Sequence, residues 1–193
     1  MENRAVFLDR DGVITELDAY EKDKPQFIIK KEDIRFIRGA IESIQLLNKN
    51  NFKVVIISNQ PQIARGLATE QQIREINQII IEHFRKYGAI IDEIYYCPHH
   101  PNLGNSQYTQ ECSCRKPKSG MILQAADKFS IDLKESWMVG DRISDIKAGH
   151  DAGCKTIGVR TGYACADEFT DAQPDIMVND IKEAVLYILQ NIK

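Results

Sequence analysis

The chain has 193 residues, 43% of them hydrophobic and 27% charged, with a formal net charge of −3. That length suits one sizeable core, and the acidic balance without a long basic run argues against a nucleic-acid binder. No apolar run approaches membrane-spanning length, and five cysteines, an odd number, fit a full set of disulfides poorly.

The amino terminus, MENRAVFLDRDG, enters a strand-like segment at once. It leaves no room for a signal peptide, so the expected location is the cytoplasm, where thiols stay reduced. Short apolar, β-branched runs then recur at 5–8, 54–57, 94–96, 137–139, 156–159 and 176–178. The tract 15–33 is polar and irregular and reads as a flap near one sheet edge. Thr69 and Gln72 form a capping-box pattern that predicts a helix from Thr69 to near Gly88, with Ile73, Ile76, Ile80, Phe84 and Tyr87 on one face. A second helix carries Ile122, Ala125, Ala126 and Phe129; a shorter one runs from a Ser144 cap to Gly153; a last one covers about 181–192. Strands that alternate with helices and are nearly continuous in apolar character predict an α/β fold, a parallel sheet covered on both faces. No repeat or domain linker interrupts the chain, so 1–193 is expected to be one domain.

Ligands of open α/β sheets bind outside the carboxyl ends of the strands. The first such end delivers Asp9 and Asp11; the second Ser58, Asn59 and Gln60; the third a cysteine–histidine stretch; the fourth Asp141, with Asp145 one turn on. Asp9, Asp11 and Asp141 would repel one another unless a hard cation sat among them, and oxygen ligands suit Mg²⁺. A strand-end carboxylate beside Mg²⁺ can act as a nucleophile and form an aspartyl-phosphate. Ser58 can donate to the transferring phosphoryl group, Lys116 can neutralise its charge, and Asp11 can serve as general acid and base. Each aspartate alone could as well cap a turn, and Asp145 could be no more than a helix N-terminal acid; the four ends together favour the site.

The stretch CPHHPNLGNSQYTQECSCRKPK, 97–118, holds Cys97, Cys112, Cys114, His99 and His100 just before Arg115 and Lys116. Cys97 with His99 and Cys112 with Cys114 are two short ligand pairs that suit a closed tetrahedral Zn²⁺ site, although spacing alone leaves His100 in place of His99 open. A disulfide from Cys97 is disfavoured by the expected compartment, and a catalytic thiol would lack an activating base and a task. Cys154, Cys165, His83 and His150 read as ordinary structural or surface residues.

Four segments in order, FLDRDGV, IISNQ, RKPKSGM and MVGDRISD, resemble the motifs of the haloacid dehalogenase superfamily over about 5–162. The resemblance implies a Rossmann-like three-layer domain with no separate cap, because neither usual cap insertion point holds enough residues. It implies Asp9 as nucleophile, Asp11 as acid/base, Ser58 and Lys116 on the phosphoryl group, and Mg²⁺ on Asp9, the Asp11 carbonyl and Asp141, with Asp145 in support. SNQ…IARG and CPHHP…CSCRKP are further similar to the histidinol-phosphatase and heptose-bisphosphatase branch. That likeness strengthens the structural zinc reading and favours His99. It also implies substrate contacts from Asp18, Tyr20, Asn59, Gln60, Arg115 and Arg142. The expected enzyme is a monomeric, Mg²⁺-dependent phosphatase of a small phosphorylated sugar, foremost the C7 phosphate of a heptose 1,7-bisphosphate in nucleotide-activated heptose synthesis. Histidinol phosphate is the alternative substrate, and a receiver-like phosphorylated signalling domain the non-enzyme alternative. Pro61 and Gln62, and a flap at 15–26 that is only loosely similar, depart from the pattern on the sugar side of the site.

Overall fold

Each strand has a buried run, and their order in space is what positions everything else. The computed structural model describes residues 3–17, 27–104, 107–166 and 172–192. Strands β1 (Arg4–Leu8), β2 (Phe52–Asn59), β3 (Glu93–Cys97), β4 (Trp137–Gly140), β5 (Lys155–Val159) and β6 (Ile176–Val178) form one sheet in the order β3-β2-β1-β4-β5-β6. All neighbours are parallel, so each connection must cross over, and four of the five do so through a described helix: α1 (Ala40–Lys49), α2 (Glu70–Lys86), α3 (Gly120–Phe129) and α4 (Ile143–Ala152), with α5 (Ile181–Gln190) following β6.

Alternation along the strands sorts the core into two. Val6, Leu8, Val54, Ile56 and Val139 pack with Ile44 and Leu47 of α1, Ile73 and Ile80 of α2, and Ile181 and Val185 of α5. Ala5, Phe7, Val55, Ile57 and Met138 face the other way, onto Met121, Ile122 and Ala125 of α3 and Ala148 of α4. The described residues carry no further sheet or helical layer over the carboxyl ends of the strands; between β1 and α1 lies only a 3₁₀ turn, Lys31–Asp33.

Several local expectations are corrected. Tyr87 is not on the buried face of α2: it is the C-cap and is 49% exposed, because the helix ends at Lys86. The N-cap of α4 is Arg142 rather than Ser144; the Asp145 carboxylate accepts from the Arg142 backbone N–H and supplies the cap from inside the first turn. Cys154, expected to be an ordinary residue, is buried immediately before β5. Helix α1, not singled out in the sequence, starts after Gly39, whose φ of 87° is the left-handed region that glycine tolerates. Of the expected flap, 18–26 lies outside the described residues.

Phe84 is fully buried and meets Phe36 edge-on, with ring centroids 5.2 Å apart. Phe84→Ala is expected to cost about 3–5 kcal/mol in denaturant unfolding without changing the sheet, because the α1–α2 face cannot close over the lost ring.

Candidate active site

Asp9 and Asp141 follow β1 and β4, the pair of strands at which the direction of winding reverses, so both stand at the sheet's switch-point crevice. Asp9 is fixed by its backbone N–H, which donates to Val139 O at 3.0 Å. Its Oδ1 accepts from Arg10 N at 2.7 Å and from Lys116 Nζ at 2.9 Å. Lys116 is almost fully buried: its ammonium donates to Ile57 O at 2.8 Å and forms ion pairs with Asp9 Oδ1 at 2.9 Å and Asp145 Oδ1 at 2.7 Å. Asn59, expected at the substrate, lines the cleft and also clasps the Lys116 backbone: its Nδ2 donates to Lys116 O at 2.9 Å and its Oδ1 accepts from Lys116 N at 3.0 Å.

Asp141 Oδ2 accepts from Tyr163 N at 2.8 Å, whereas Oδ1 is buried without a hydrogen-bond partner. Backbone closes tightly around this carboxylate: a Cβ on Gly12, at φ 97°, would lie 2.4 Å from Asp141 Oδ2. Burial, then the charges of Asp9 and Asp145, push Asp141 well above the usual carboxylate range. Burial likewise pushes Asp9 up to about 6, despite Lys116. One oxygen each of Asp9, Asp141 and Asp145 lies within 4.8 Å of the others. An unpartnered buried carboxylate oxygen inside a cluster with excess negative charge fits a hard divalent cation.

Asp11 stands apart from that cluster. Arg10 holds it through Nε to Oδ1 at 3.0 Å and Nη2 to Oδ2 at 2.9 Å. Burial alone would raise Asp11, but the guanidinium beside it brings the carboxyl below its ordinary value. Gln60, also expected at the substrate, is buried beneath the cleft, where its Nε2 donates to Asp11 Oδ2 at 2.9 Å and Ser58 Oγ at 2.7 Å.

A cleft of about 630 Å³ opens over Asp9, Asp11, Ser58 and Lys116. Its rim is cationic, with Arg65, Arg115 and Arg142 among the lining residues. Arg142 lies 3.6 Å above the Tyr163 ring, and Arg115 Nη1 donates to His99 O at 3.0 Å. Burial lowers the Arg115 pKa, and the like charges of Arg142 and Arg65 add to the effect. Arg65 and His100 also line the cleft; the sequence offered Arg65 only within the IARG segment and His100 only as a zinc ligand. Asp18 and Tyr20 lie outside the described residues.

The loop after β3 brings Cys97, His99, Cys112 and Cys114 together, with Sγ–Sγ separations of 3.1–3.5 Å and Sγ–Nδ1 separations of 3.4 and 3.7 Å. These approach the edges, about 3.5–3.8 Å, of a tetrahedron with Zn–S and Zn–N bond lengths, and all five cysteines are free thiols. The donor set therefore suits a closed tetrahedral Zn²⁺ site. His100 is turned elsewhere: its Nδ1 accepts from Leu103 N at 3.0 Å and Asn102 N at 3.2 Å. The two remaining histidines are satisfied, His83 stacked on Phe36 and His150 bonded to Thr156 Oγ1 at 2.9 Å.

Comparison with known proteins agrees with this geometry. Residues 113–184 match the HAD-hydrolase-like family model. The chain is 37% identical over 190 residues, 97% of its length and 100% of the relative's, to the D-glycero-β-D-manno-heptose-1,7-bisphosphate 7-phosphatase of Haemophilus ducreyi. It is 39% identical over 191 residues, 98% of each chain, to the enzyme of the same name from Vibrio cholerae. Among solved structures, D,D-heptose 1,7-bisphosphate phosphatase from B. bronchiseptica, complexed with magnesium and phosphate, superposes with a TM-score of 0.80 at 27% identity, covering 97% of this chain and 98% of that one.

Two outcomes follow from the metal-binding chemistry. Raised carboxyls bind protons more tightly folded than unfolded, so the cation-free fold loses stability as pH rises from about 4 through about 6. Added Mg²⁺ must displace those protons; it is expected to raise the melting temperature by several degrees at about pH 7.5 and hardly at all at about pH 5. Equal shifts at both would place the cation elsewhere. Protein purified without chelator is expected to carry about one Zn²⁺ per chain by elemental analysis. Cys112→Ala should lose it and become open to proteolysis between 98 and 113.

Proposed function

Since the chain belongs to the HAD-like hydrolases, as a member of the D-glycero-β-D-manno-heptose-1,7-bisphosphate 7-phosphatase family, we propose that all of 1–193 works as one catalytic domain that removes the C7 phosphate of that sugar. The reaction belongs to nucleotide-activated heptose synthesis. The observation that carries this reading is the buried Lys116 ammonium shared by Asp9 and Asp145, next to the unpartnered oxygen of Asp141. A receiver-like phosphoacceptor would leave the second carboxylate, Asp11, and its dedicated partners without a task.

A carboxylate oxygen of Asp9 forms the bond to phosphorus while the bond from phosphorus to the sugar oxygen breaks. Asp11, which must enter the cycle protonated, gives that oxygen its proton. Water then bonds to phosphorus, its proton passes to Asp11, and the bond to Asp9 breaks, returning both carboxyls to their starting state. Lys116 and Ser58 steady the charge on the phosphoryl oxygens. Asp9, Asp141 and the Asp11 carbonyl would hold Mg²⁺, which would supply charge neutralisation at the phosphate. Arg115 and Arg142 on the rim suit the second phosphate and the hydroxyls of the sugar; Asp18 and Tyr20 enter as substrate contacts only through the family resemblance. Asn59, at the cleft wall, can meet the sugar as well as hold Lys116, whereas the buried Gln60 acts on this reading through Asp11. Zn²⁺ on Cys97, His99, Cys112 and Cys114 orders the loop and takes no part in the chemistry.

With Mg²⁺, both anomers of heptose 1,7-bisphosphate, histidinol phosphate, fructose 1,6-bisphosphate and a 3′-phosphorylated oligonucleotide form the decisive panel. The β-heptose is expected to give the highest kcat/KM; a large preference for histidinol phosphate would overturn the substrate. Asp9→Asn should lower kcat by more than about a thousandfold at an unchanged melting temperature, and turnover retained in that variant would rule out the covalent mechanism.

A further inference from the structure

Arg10 lies between the two aspartates in sequence, yet its side chain runs inward and is 0% exposed. A guanidinium so far from water needs partners for its donors. It has them: besides the fork onto Asp11, Nη2 donates to Gln60 Oε1 at 2.7 Å and Nη1 to Asn77 Oδ1 at 2.9 Å. Asn77 is buried on α2 and does not line the cleft. The helix thus grips the guanidinium from behind, and the fork fixes the plane of the Asp11 carboxylate in front.

Asp11 is also saturated. Oδ1 accepts from Arg10 Nε and from Thr15 Oγ1 at 2.9 Å; Oδ2 accepts from Arg10 Nη2 and Gln60 Nε2. A carboxylate offers about four lone-pair sites, and all are taken. To exchange a proton it must give up one donor. Thr15 releases it most readily, because its hydroxyl has a single hydrogen and a second acceptor within reach, Arg10 O at 3.1 Å.

We propose that Arg10, braced by Asn77 and Gln60, is the positioning residue for Asp11: it keeps the carboxylate aimed at the cleft while Thr15 lets go and opens one lone pair of Oδ1 to the proton in transfer. This rests on the phosphatase reading above. A bond broken at Asn77 then reaches the chemistry only through Arg10 and Asp11, and it slows proton transfer without weakening substrate binding.

Arg10→Lys, which keeps charge but cannot fork, and Asn77→Ser, which withdraws the brace, test this in the Mg²⁺-loaded enzyme. With the heptose bisphosphate, kcat is expected to fall about 10–100-fold in the first and about 3–10-fold in the second, with KM within about twofold. With p-nitrophenyl phosphate, whose leaving group departs without a proton, the phosphoenzyme still forms and its hydrolysis slows. Rapid mixing should therefore show a burst approaching about one nitrophenolate per chain in the variants and none in the wild type. Circular dichroism melts accompany each variant, and should Arg10→Lys not fold, the milder Asn77→Ser decides. A lowered melting temperature with kcat and burst unmoved, equal losses on both substrates without a burst, or a loss in KM alone would assign Arg10 to stability and overturn the proposal. Should the wild type release phosphate from neither compound, the phosphatase reading and this inference fall together; a working wild type with unmoved variants removes this inference alone.

Discussion

Three buried carboxylates face one buried ammonium at the heart of this protein. Asp9, Asp141 and Asp145 share the crevice with Lys116, whose charge would leave two negative charges uncompensated with all three carboxylates ionised. Removing one partner from such a buried pair costs about 3–5 kcal/mol, so Lys116 is as much a structural element as a chemical one. Asp145 shows the double duty. One oxygen pairs with Lys116 and the other accepts from Arg142 N at the start of α4. The close approach to β4 requires glycine at 140, where a Cβ would lie 2.2 Å from that of Asp145. The residual double negative charge is what makes a divalent cation the natural complement of the crevice, and Asp141 Oδ1 is the atom left waiting for it.

Why the charges can be gathered there follows from the winding of the sheet. Chain leaves β1 toward β2 on one side and reaches β4 on the other, so the loops after β1 and β4 part and open a crevice that, among the described residues, no helix fills. Both neighbours arrive in register, with Leu8 opposite Ile56 on one side and Val139 on the other. Asp9 and Asp141 therefore stand side by side on rigid strands, not on a mobile loop. That is the preorganisation an attacking carboxylate needs, since small displacements of reacting atoms carry large penalties in rate.

Much of this was legible in the sequence because strand ends are punctuated there: an apolar run stops and a carboxylate or hydroxyl follows. Five of the six runs proved one to four residues longer as strands than their apolar stretch, as β2 shows by running from Phe52 to Asn59. What stayed hidden were partnerships across the fold. Nothing in RDG says that Arg10 turns inward to meet Asn77, 67 positions on. Asn59 and Gln60 look like ligand-binding amides in a polar strand end, and only the tertiary structure shows that they brace Lys116 and Asp11. Local spacing also could not choose between His99 and His100. The choice is made by backbone donors at Asn102 and Leu103 that take His100 away from the thiols. Tyr87 fitted the helical period, but the period says nothing about where the last turn ends.

The cysteine cluster has its meaning in strand register. Cys97 lies opposite Asn59 in the β2–β3 ladder, and Gln60 N donates to Cys97 O at 2.8 Å. Asn59 in turn grips the Lys116 backbone, and Cys114 is two residues before that lysine. The loop from 98 to 113 is thus closed at its two ends by the same few atoms that set the ammonium in place. Its interior is mostly polar and cannot order itself by burial. A closed four-ligand clamp removes that freedom once, at the base of the loop, and Arg115, tied to His99 O, inherits the order. Loosening the clamp would therefore reach Arg115 first, through His99. Lys116 has two ion pairs, one side-chain hydrogen bond and two backbone hydrogen bonds of its own and would be the last to move.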